Sequence, residues 1–514
     1  MTQPDLLDLV QQRGVEGFLE FVEQSEHAHL SAKIGGTGMT NVMEERAASQ
    51  VLQGIDDLRS KFHGKLVLIV SAAGKIYGSE QKITDRLIAA LKAFHNGDKD
   101  EGERIIQSLK EDHLKMIGEG IQSDRQEAVI NVVENHFLSI QNDLADISQR
   151  VPAYILDRVA GIGEELASII LAAMLNGIHL STQNNSVQES TDETSKNFAF
   201  IIREFSQMIQ TTIQQSDSTL NIVPGFPGFI DPSGTISETG RGYSDFTTIM
   251  ATPEKGFVIL LKQSGAVLQM NPKFLPEGYD IRKMTIMPIR QAVRMTNLIG
   301  DQIQVIHPMA LAEAQKKKLT LIVTDEKNPF SGGGTLILPD DIYDAYQADG
   351  KNLEPIPMMG VAENAYRLTI FFDSPISEMR KSRAISELEQ RLANSGVKVA
   401  YKDFTTCDDD GKETLSLIVA GMDSKNDSLS KKIGDIMKIE KGELSYILGI
   451  SGVGRAGSLI ADESKILNTL QGARCFHRSV SEKLTSLGIL VPQDNESERE
   501  QKLESVMRII NSER

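Results

Sequence analysis

Lys65-Leu66-Val67-Leu68-Ile69-Val70 runs directly into Ser71-Ala72-Ala73-Gly74-Lys75. Five consecutive aliphatic residues without alternation read as a strand buried on both faces, the pattern of a parallel sheet. A small-residue turn follows, then Ile83, Leu87, Ile88, Leu91 and Phe94 at helical spacing. The same alternation recurs downstream. Glu164 to Leu175 and Phe198 to Ile213 read as helices, and Phe257 to Leu261 as a strand. Strands alternating with helices predict an α/β fold.

Working outward, residues 1–30 are acidic, and their apolar spacing predicts a helical extension. Ser181 to Lys196 and Pro339 to Met359 read as connectors, from their polar and Pro-containing composition. Beyond the second connector the pattern changes. Ala365 to Phe372, Val397 to Phe404 and Thr414 to Val419 read as strands, whereas Glu378 to Leu392 and Lys431 to Ile439 read as helices. A second round starts at Leu444. This order is that of ferredoxin-like α+β modules. The last twenty residues carry Leu503, Val506, Ile509 and Ile510 at helical spacing.

The bulk composition narrows the function. A chain of 514 residues is too long for one ordinary core. The net charge of −17 argues against nonspecific nucleic-acid binding, which needs a basic surface. Two distant cysteines, Cys407 and Cys475, argue against a disulfide framework or a zinc site, and no protein metal ligand is assigned. Met1 to Leu6 has no basic or apolar leader pattern. The apolar stretch Leu166 to Leu175 is too short to span a bilayer. A cytoplasmic protein without a membrane segment is expected.

Five blocks carry chemistry. In Lys33-Ile34-Gly35-Gly36-Thr37-Gly38, glycines let backbone N–H groups approach phosphate oxygens, and a lysine adds a compact positive charge. The lysine precedes the glycines, so this is not a Walker A motif, and a plain turn explains the segment equally well. Ser71 to Lys75 sits where open α/β sheets place ligands, or it is an ordinary strand–helix turn. Gly163-Glu164 is expected to open a helix. Its carboxylate suits a substrate ammonium, although taken alone a first-turn acid complementing the helix dipole is the simpler reading. Thr239-Gly240-Arg241-Gly242-Tyr243-Ser244-Asp245-Phe246-Thr247 pairs a planar guanidinium, suited to carboxylate or phosphate, with an aspartate four residues on. An Arg–Asp pair capping a helix is its bland alternative. Ile306-His307-Pro308 and Gly332-Gly333-Gly334-Thr335-Leu336-Ile337 are uninformative alone, and His307 reads as structural.

Taken in order, these blocks resemble the aspartate kinases of the amino acid kinase family. That family shows K-F/I-G-G-T-S, a strand ending V-S-A-x-G, a helix starting G-E, then T-x-G-R-G-G-S-D-Y/F-T, V-L-H-P and G-T-x-I/V. The match is collinear over about residues 30–340. The resemblance implies an amino acid kinase-like three-layer sandwich with a mostly parallel sheet over residues 31–340. Paired ferredoxin-like (ACT-type) regulatory modules would follow over 361–514, able to bind an amino-acid effector and to build a homodimer. It further implies that Lys33 and the Gly35-Gly36 turn contact the transferring phosphate of ATP, with Thr37 and Lys273 among the ATP contacts. Glu164 would bind the amino group of L-aspartate and Arg241 its α-carboxylate. Ser71, Gly242 and Ser244 would complete the substrate side, and Asp245 would organise charge around the lysine. With Mg²⁺, the product would be 4-phospho-L-aspartate, a first step toward lysine, threonine, methionine or ectoine.

The chain departs from the family pattern in places. The usual W-T-D-V-D-G-V/I-Y-T-x-D-P-R segment is replaced by Leu260 to Lys273, the usual lysine before His307 is Gln304, and Ile76 and Tyr77 replace expected threonines. Gly38 stands where serine is usual. The ectoine-associated branch reads K-I-G-G-T-S-M and R-G-Y-S-E and also loses W-T-D, and this chain resembles it at Lys33 to Thr37, Met39 and Arg241 to Ser244. A divergent nucleotide pocket therefore stands beside two alternatives: a kinase for another carboxylate, or a catalytically weak amino-acid sensor.

Overall fold

The computed structural model describes residues 3–24, 29–145, 153–181, 198–226, 243–299, 306–326, 332–349, 356–372, 388, 392, 397–405, 414–420, 437–441, 444–452, 463–480, 484–493 and 495–511. The chain divides into two compact units. One is Met1–Val267 with Met309–Asp349, and the other is Leu268–Pro308 with Gly350–Arg514. Leu268–Pro308 thus clusters with the C-terminal residues although it lies inside the 31–340 stretch.

The first unit is built on strands β1 (His29–Ile34), β2 (Lys65–Val70), β3 (Ile178–His179), β4 (Leu220–Pro224), β5 (Phe257–Lys262), β7 (Thr320–Asp325) and β8 (Thr335–Leu338); β6 (Ile286–Pro288) belongs to the other unit. Their order is β3-β4-β2-β1-β5-β7-β8. β1 runs parallel to both β2 and β5, so Lys33 lies opposite Ile69 on one side and Leu260 on the other. β2–β4 and β5–β7 are also parallel, and β8 alone among the pairs described here turns antiparallel. The sheet is mostly parallel, as expected. Its strands are buried on both faces because they are aliphatic throughout, with Leu66 to Val70 and Val258 to Leu261 at 2% exposure or less.

Helices cover this sheet. They include α1 (Gln3–Gln24), α2 (Gly36–Glu45), α3 (Gln50–Lys61), α4 (Ile83–His95), α5 (Lys99–Gly120), α6 (Ser123–Ala145), α7 (Ala153–Leu175), α8 (Phe198–Gln215) and α9 (Tyr243–Ala251). α1 is the expected N-terminal helix, with a non-helical break at Gly14. It seals the sheet through Phe18 and Phe21, both edge-on to Phe257. The long helices α5 and α6 escape the sequence reading because charge dominates them. Their inward stripes are sparse: Ile106, Leu109, Met116 and Ile117 in one, Val133, Phe137, Ile140 and Leu144 in the other. The Asp98 carboxylate caps α5 by accepting from the Glu101 N–H at 3.2 Å.

The structure corrects three expectations. Glu164 does not open a helix; it lies in the interior of α7, so the first-turn dipole explanation falls away. Pro339 to Met359 is not a bare connector. It holds a helix at Asp340–Ala348, anchored by buried Tyr343 and Tyr346 three residues apart, with Asp340 and Asp341 in its first turn. Met437–Lys441 is strand, not helix: Met437 and Ile439 alternate, and they pair antiparallel with Phe372 and Ile370. Of the expected connector over 181–196, residues 182–196 lie outside the described residues, as does most of the 378–392 helix.

The second unit is α+β, with an antiparallel sheet. Its longest strand, β9 (Met358–Phe372), joins two cores. Met359 and Val361 pack with Tyr446, Leu448, Ile489 and the C-terminal helix Glu496–Asn511, which supplies Leu503, Val506, Met507 and Ile510. Tyr366, Leu368 and Ile370 pack instead with Leu388, Leu392, Leu415, Leu417 and Val419.

If α1 is part of the first unit's core, removing its central ring must be costly. Phe18→Ala is expected to lower the unfolding free energy by about 3–5 kcal/mol. Val132→Ala, at a residue 42% exposed on α6, should change it by less than about 0.5 kcal/mol. Urea titration of the two variants checks this; equal effects would remove α1 from the core.

Candidate active site

The carboxyl ends of β1, β2, β4, β5 and β7 face one side of the first unit, where open parallel sheets hold ligands. Lys33 is the penultimate residue of β1, and the chain then enters α2 through Gly35 and Gly36. Gly35 is the N-cap of α2 and offers no side chain to cap it; among the first-turn N–H groups, that of Gly38 donates to Glu326. A Cβ on Gly36 would stand 3.0 Å from the Ala72 carbonyl oxygen, which is why a glycine is needed there. The two turns are stitched together: the Gly74 N–H donates to the Gly36 carbonyl at 2.9 Å and to Thr40 Oγ1 at 2.8 Å.

The charged centre is a triad of residues on three elements. Asp245 lies in the first turn of α9 and is 5% exposed. Lys33 Nζ approaches its Oδ1 at 3.2 Å. Lys262, the last residue of β5, donates to both carboxylate oxygens at 3.1 and 3.0 Å. Burial pushes the Asp245 carboxyl up, but Lys262 first and then Lys33 outweigh it and hold it down to about 2. Burial draws the Lys262 ammonium down to about 8, with Asp245 opposing that shift and Lys33 adding to it.

Glu164 reaches the same region from α7. Burial raises its carboxyl to about 7, against the pull of Lys33 and of hydrogen bonds from the Phe226 and Ala72 N–H groups. Its Oε2 is shielded from solvent and has no hydrogen-bond partner. An orphaned carboxylate oxygen in such a place fits a cationic or protic ligand group. Next to it, Ser71 Oγ, at the end of β2, donates to Ser244 Oγ at 3.1 Å. At the end of β4, a Cβ on Gly225 would fall 2.5 Å from Ser244 Cβ and 3.0 Å from Glu164 Oε2.

The structure thus brings together Lys33, Gly35, Gly36, Ser71, Glu164, Ser244 and Asp245. Thr37 lies on the rim, where its Oγ1 accepts from Gln263 Nε2 at 2.9 Å. Arg241 and Gly242 lie outside the described residues. Lys273 belongs to the second unit, where it pairs with Glu363 at 3.1 Å and lies over the Phe274 ring. The sequence reading misses Lys262, Gln263 and Glu326. Glu326, just past β7, is buried; burial raises its carboxyl, while hydrogen bonds from Gln263 and the Gly38 N–H oppose the shift. The signal for Lys262 was a cation at the carboxyl end of a predicted buried strand.

Residues 32–325, more than half of the chain, match the model of the amino acid kinase family. The chain belongs to the amino acid kinase family. Among curated relatives, the aspartokinase of Saccharomyces cerevisiae is 21% identical over 368 residues, 68% of this chain and 65% of that protein. The aspartokinase of Schizosaccharomyces pombe is 23% identical over 301 residues, 56% of each chain. The chain thus aligns with less than two thirds of either yeast protein. Among solved structures, E. coli aspartokinase III in complex with aspartate and ADP matches with a TM-score of 0.60 at 16% identity, over 94% of this chain and 99% of that one. Clostridium acetobutylicum aspartate kinase matches with a TM-score of 0.58 at 16% identity, over the same shares. These likenesses establish that this amino acid kinase family member has the aspartokinase fold along nearly its whole length.

The half-buried Glu164 makes a pH-dependent prediction. Between its ordinary value of 4.5 and about 7, the folded chain keeps a proton that the unfolded chain releases, so stability falls as pH rises through that window. Glu164→Gln removes that loss. Near pH 8 the variant should exceed the wild type by about 2 kcal/mol, a figure discounted for the solvent reaching the rest of the side chain. Near pH 4.5 the gain should vanish. Thermal unfolding at both pH values checks the sign; a gain independent of pH would refute it.

Proposed function

We propose that this protein is an aspartate kinase, transferring the γ-phosphoryl group of ATP to the β-carboxylate of L-aspartate. The observation that carries the reading is the pairing of a phosphate-type end with an amine-type end in one cluster. Lys33 and Asp245 sit at the glycine turn, and the Glu164 carboxylate, with its orphaned Oε2, sits a few side chains away. The names of the aspartokinase relatives and structures support the same assignment.

In this reading Glu164, ionised above about pH 7, receives the substrate ammonium. Ser71, Ser244 and Arg241 orient the rest of the amino acid, with Arg241 and Gly242 at its α-carboxylate. Gly35, Gly36 and Thr37 line the phosphates. A β-carboxylate oxygen attacks the γ-phosphorus in line, forming an O–P bond. The bond from that phosphorus to the β–γ bridging oxygen breaks, and ADP leaves with the electron pair. The product is 4-phospho-L-aspartate. Lys33 neutralises charge on the transferred group, so catalysis is positioning plus electrostatics, without a covalent enzyme intermediate.

Among the described residues no group of three or more His, Cys, Asp or Glu side chains forms a metal cage. Asp245 is already engaged by two lysines. The residues therefore fit a Mg²⁺ that arrives on the nucleotide phosphates, where it would add charge neutralisation. The second unit is assigned to binding an amino-acid effector and to homodimer formation. E. coli aspartokinase III, whose complex with lysine and aspartate matches this fold with a TM-score of 0.57, supports the effector assignment. No helix of the described residues is long and apolar enough to cross a membrane. A cytoplasmic setting without nucleic-acid partners agrees with the net charge of −17.

Purified protein with ATP, Mg²⁺ and L-aspartate should form an acyl phosphate that hydroxylamine traps as a hydroxamate. Lys33→Ala should reduce the rate by about 100-fold or more. A panel of other amino and carboxylic acids separates aspartate from competing acceptors. If the wild type traps nothing yet is thermally stabilised by amino acids, the chain is a sensor and the kinase assignment fails.

A further inference from the structure

The turn from β2 into α4 makes its contacts with the site in its first half. Ser71 Oγ meets Ser244, the Ala72 N–H donates to Glu164, and the Gly74 N–H is stitched to the Gly36 carbonyl. The second half, Lys75-Ile76-Tyr77-Gly78, reverses the chain through two left-handed residues, Tyr77 at φ 49° and Gly78 at φ 77°. Glycine adopts that conformation freely, whereas a tyrosine stays in it only where its surroundings hold it. Three residues outside the turn do so. The Tyr77 N–H donates to Glu44 Oε1 at 2.5 Å, its hydroxyl donates to Glu119 Oε2 at 3.2 Å, and the Lys115 ammonium stands 3.8 Å from the centre of its ring. Glu44 lies in the last turn of α2, and Lys115 and Glu119 lie one turn apart on α5. Glu119 also pairs with Arg46, the C-cap of α2, which is itself left-handed at φ 54°. Burial, with Glu119 beside it, pushes the Tyr77 hydroxyl up to about 12, so it remains a donor through the neutral range. The family pattern expects a threonine here, which is too short to reach α5 from this turn.

We propose that Tyr77 is a positioning residue, a clasp that pins the 71–78 turn to α2 and α5 and so sets Ser71 and the Ala72 N–H, at the acceptor end, against the glycine turn at the phosphate end. The identity of the acceptor rests on the kinase reading; the clasp itself follows from the contacts. α2 and the turn leave the site side by side. Their near ends are joined where the Gly74 N–H meets the Gly36 carbonyl and Thr40 Oγ1. Their far ends are joined by Glu44, Tyr77 and Glu119. A segment tied at two points along its length has a narrower range of positions than one tied at its root alone, so its ordering is complete before a substrate arrives. α5 is the anchor of this arrangement: its Glu119 holds both the turn, through Tyr77, and the end of α2, through Arg46.

The experiment reads local order and turnover separately on the full chain. Backbone hydrogen exchange over residues 71–78 is followed for wild type, Tyr77→Phe and Tyr77→Gly, with residues 65–70 of β2 as the reference, alongside hydroxamate kinetics and calorimetry of Mg-ADP binding. Tyr77→Gly accepts φ 49° without strain, so it removes the clasp while sparing the backbone. It should speed exchange over 71–78 by about fivefold or more while leaving 65–70 protected. Tyr77→Phe, which loses only the hydroxyl contact with Glu119, should raise KM for aspartate about 3- to 10-fold, and Tyr77→Gly about 10- to 30-fold. The dissociation constant for Mg-ADP should stay within about threefold in both. Combining Tyr77→Phe with Glu119→Ala should cost less than the product of the two single losses, because both remove one contact. If Tyr77→Gly exchanges over 71–78 like wild type, or leaves KM for aspartate within about twofold, Tyr77 holds nothing in place and the proposal is overturned. Faster exchange that extends to 65–70, with equal losses for Mg-ADP and aspartate, marks general destabilisation and overturns it as well. A wild type without turnover would defeat the kinase reading only, and the clasp would then be judged by exchange alone.

Discussion

A carboxylate at 5% exposure between two ammonium groups is an arrangement that a folded chain does not adopt for stability. Taking Asp245, Lys33 and Lys262 out of water costs several kcal/mol per ion, and their mutual attraction returns that cost only with near-ideal geometry. Three apolar residues of similar volume would serve packing at least as well. The cluster also requires β1, β5 and α9 to converge. β1 must lie beside β5 in register, and α9 must start where its first-turn acid meets both strand ends. The depressed carboxyl and the lowered ammonium are the imprint of that convergence. Groups so perturbed at the mouth of a parallel sheet are characteristic of ligand sites.

Two carboxylates a few side chains apart are driven in opposite directions. Asp245 is held near 2 by two lysines, while Glu164 rises to about 7 because burial dominates and only Lys33 and two N–H groups oppose it. Environment separates their tasks: one acid is permanently ionised and organises cations, and the other is poised to ionise when a cationic group arrives. Lys33 is common to both fields, so a charge change at Glu164 is felt at Asp245 through one side chain.

The fold was legible wherever apolar runs had a clear period. The uninterrupted aliphatic strands gave the parallel sheet, and the glycine-bearing turns gave its ligand edge. Helices α5 and α6 were not legible, since their buried stripes are diluted by charge. The 340–348 helix was hidden because acids at a helix start look like a polar linker. Met437 to Ile439 misled because two apolar residues two apart satisfy a strand as readily as the edge of a helix. Lys33, Glu164 and Asp245 were found through motif order rather than local chemistry. Lys262 belongs to no motif of the family pattern, and only the fold brings its charge beside Asp245.

The placement of Lys262 has a physical logic. A basic side chain at the end of β5, only partly exposed, is stabilised there by Asp245, which also meets Lys33. Sharing one aspartate between two lysines adds a cation beside the glycine turn without adding a buried acid. It also explains why small residues surround the cluster. At Gly225 a single methyl would collide with Ser244 and approach Glu164 Oε2. The space that glycine leaves there keeps the Glu164 carboxylate close to the β4 end, while the two lysines stand at the ends of β1 and β5. The distance between the two ends of the site is thus set by backbone approach along a rigid parallel sheet rather than by flexible side chains, as in-line transfer between two bound substrates demands.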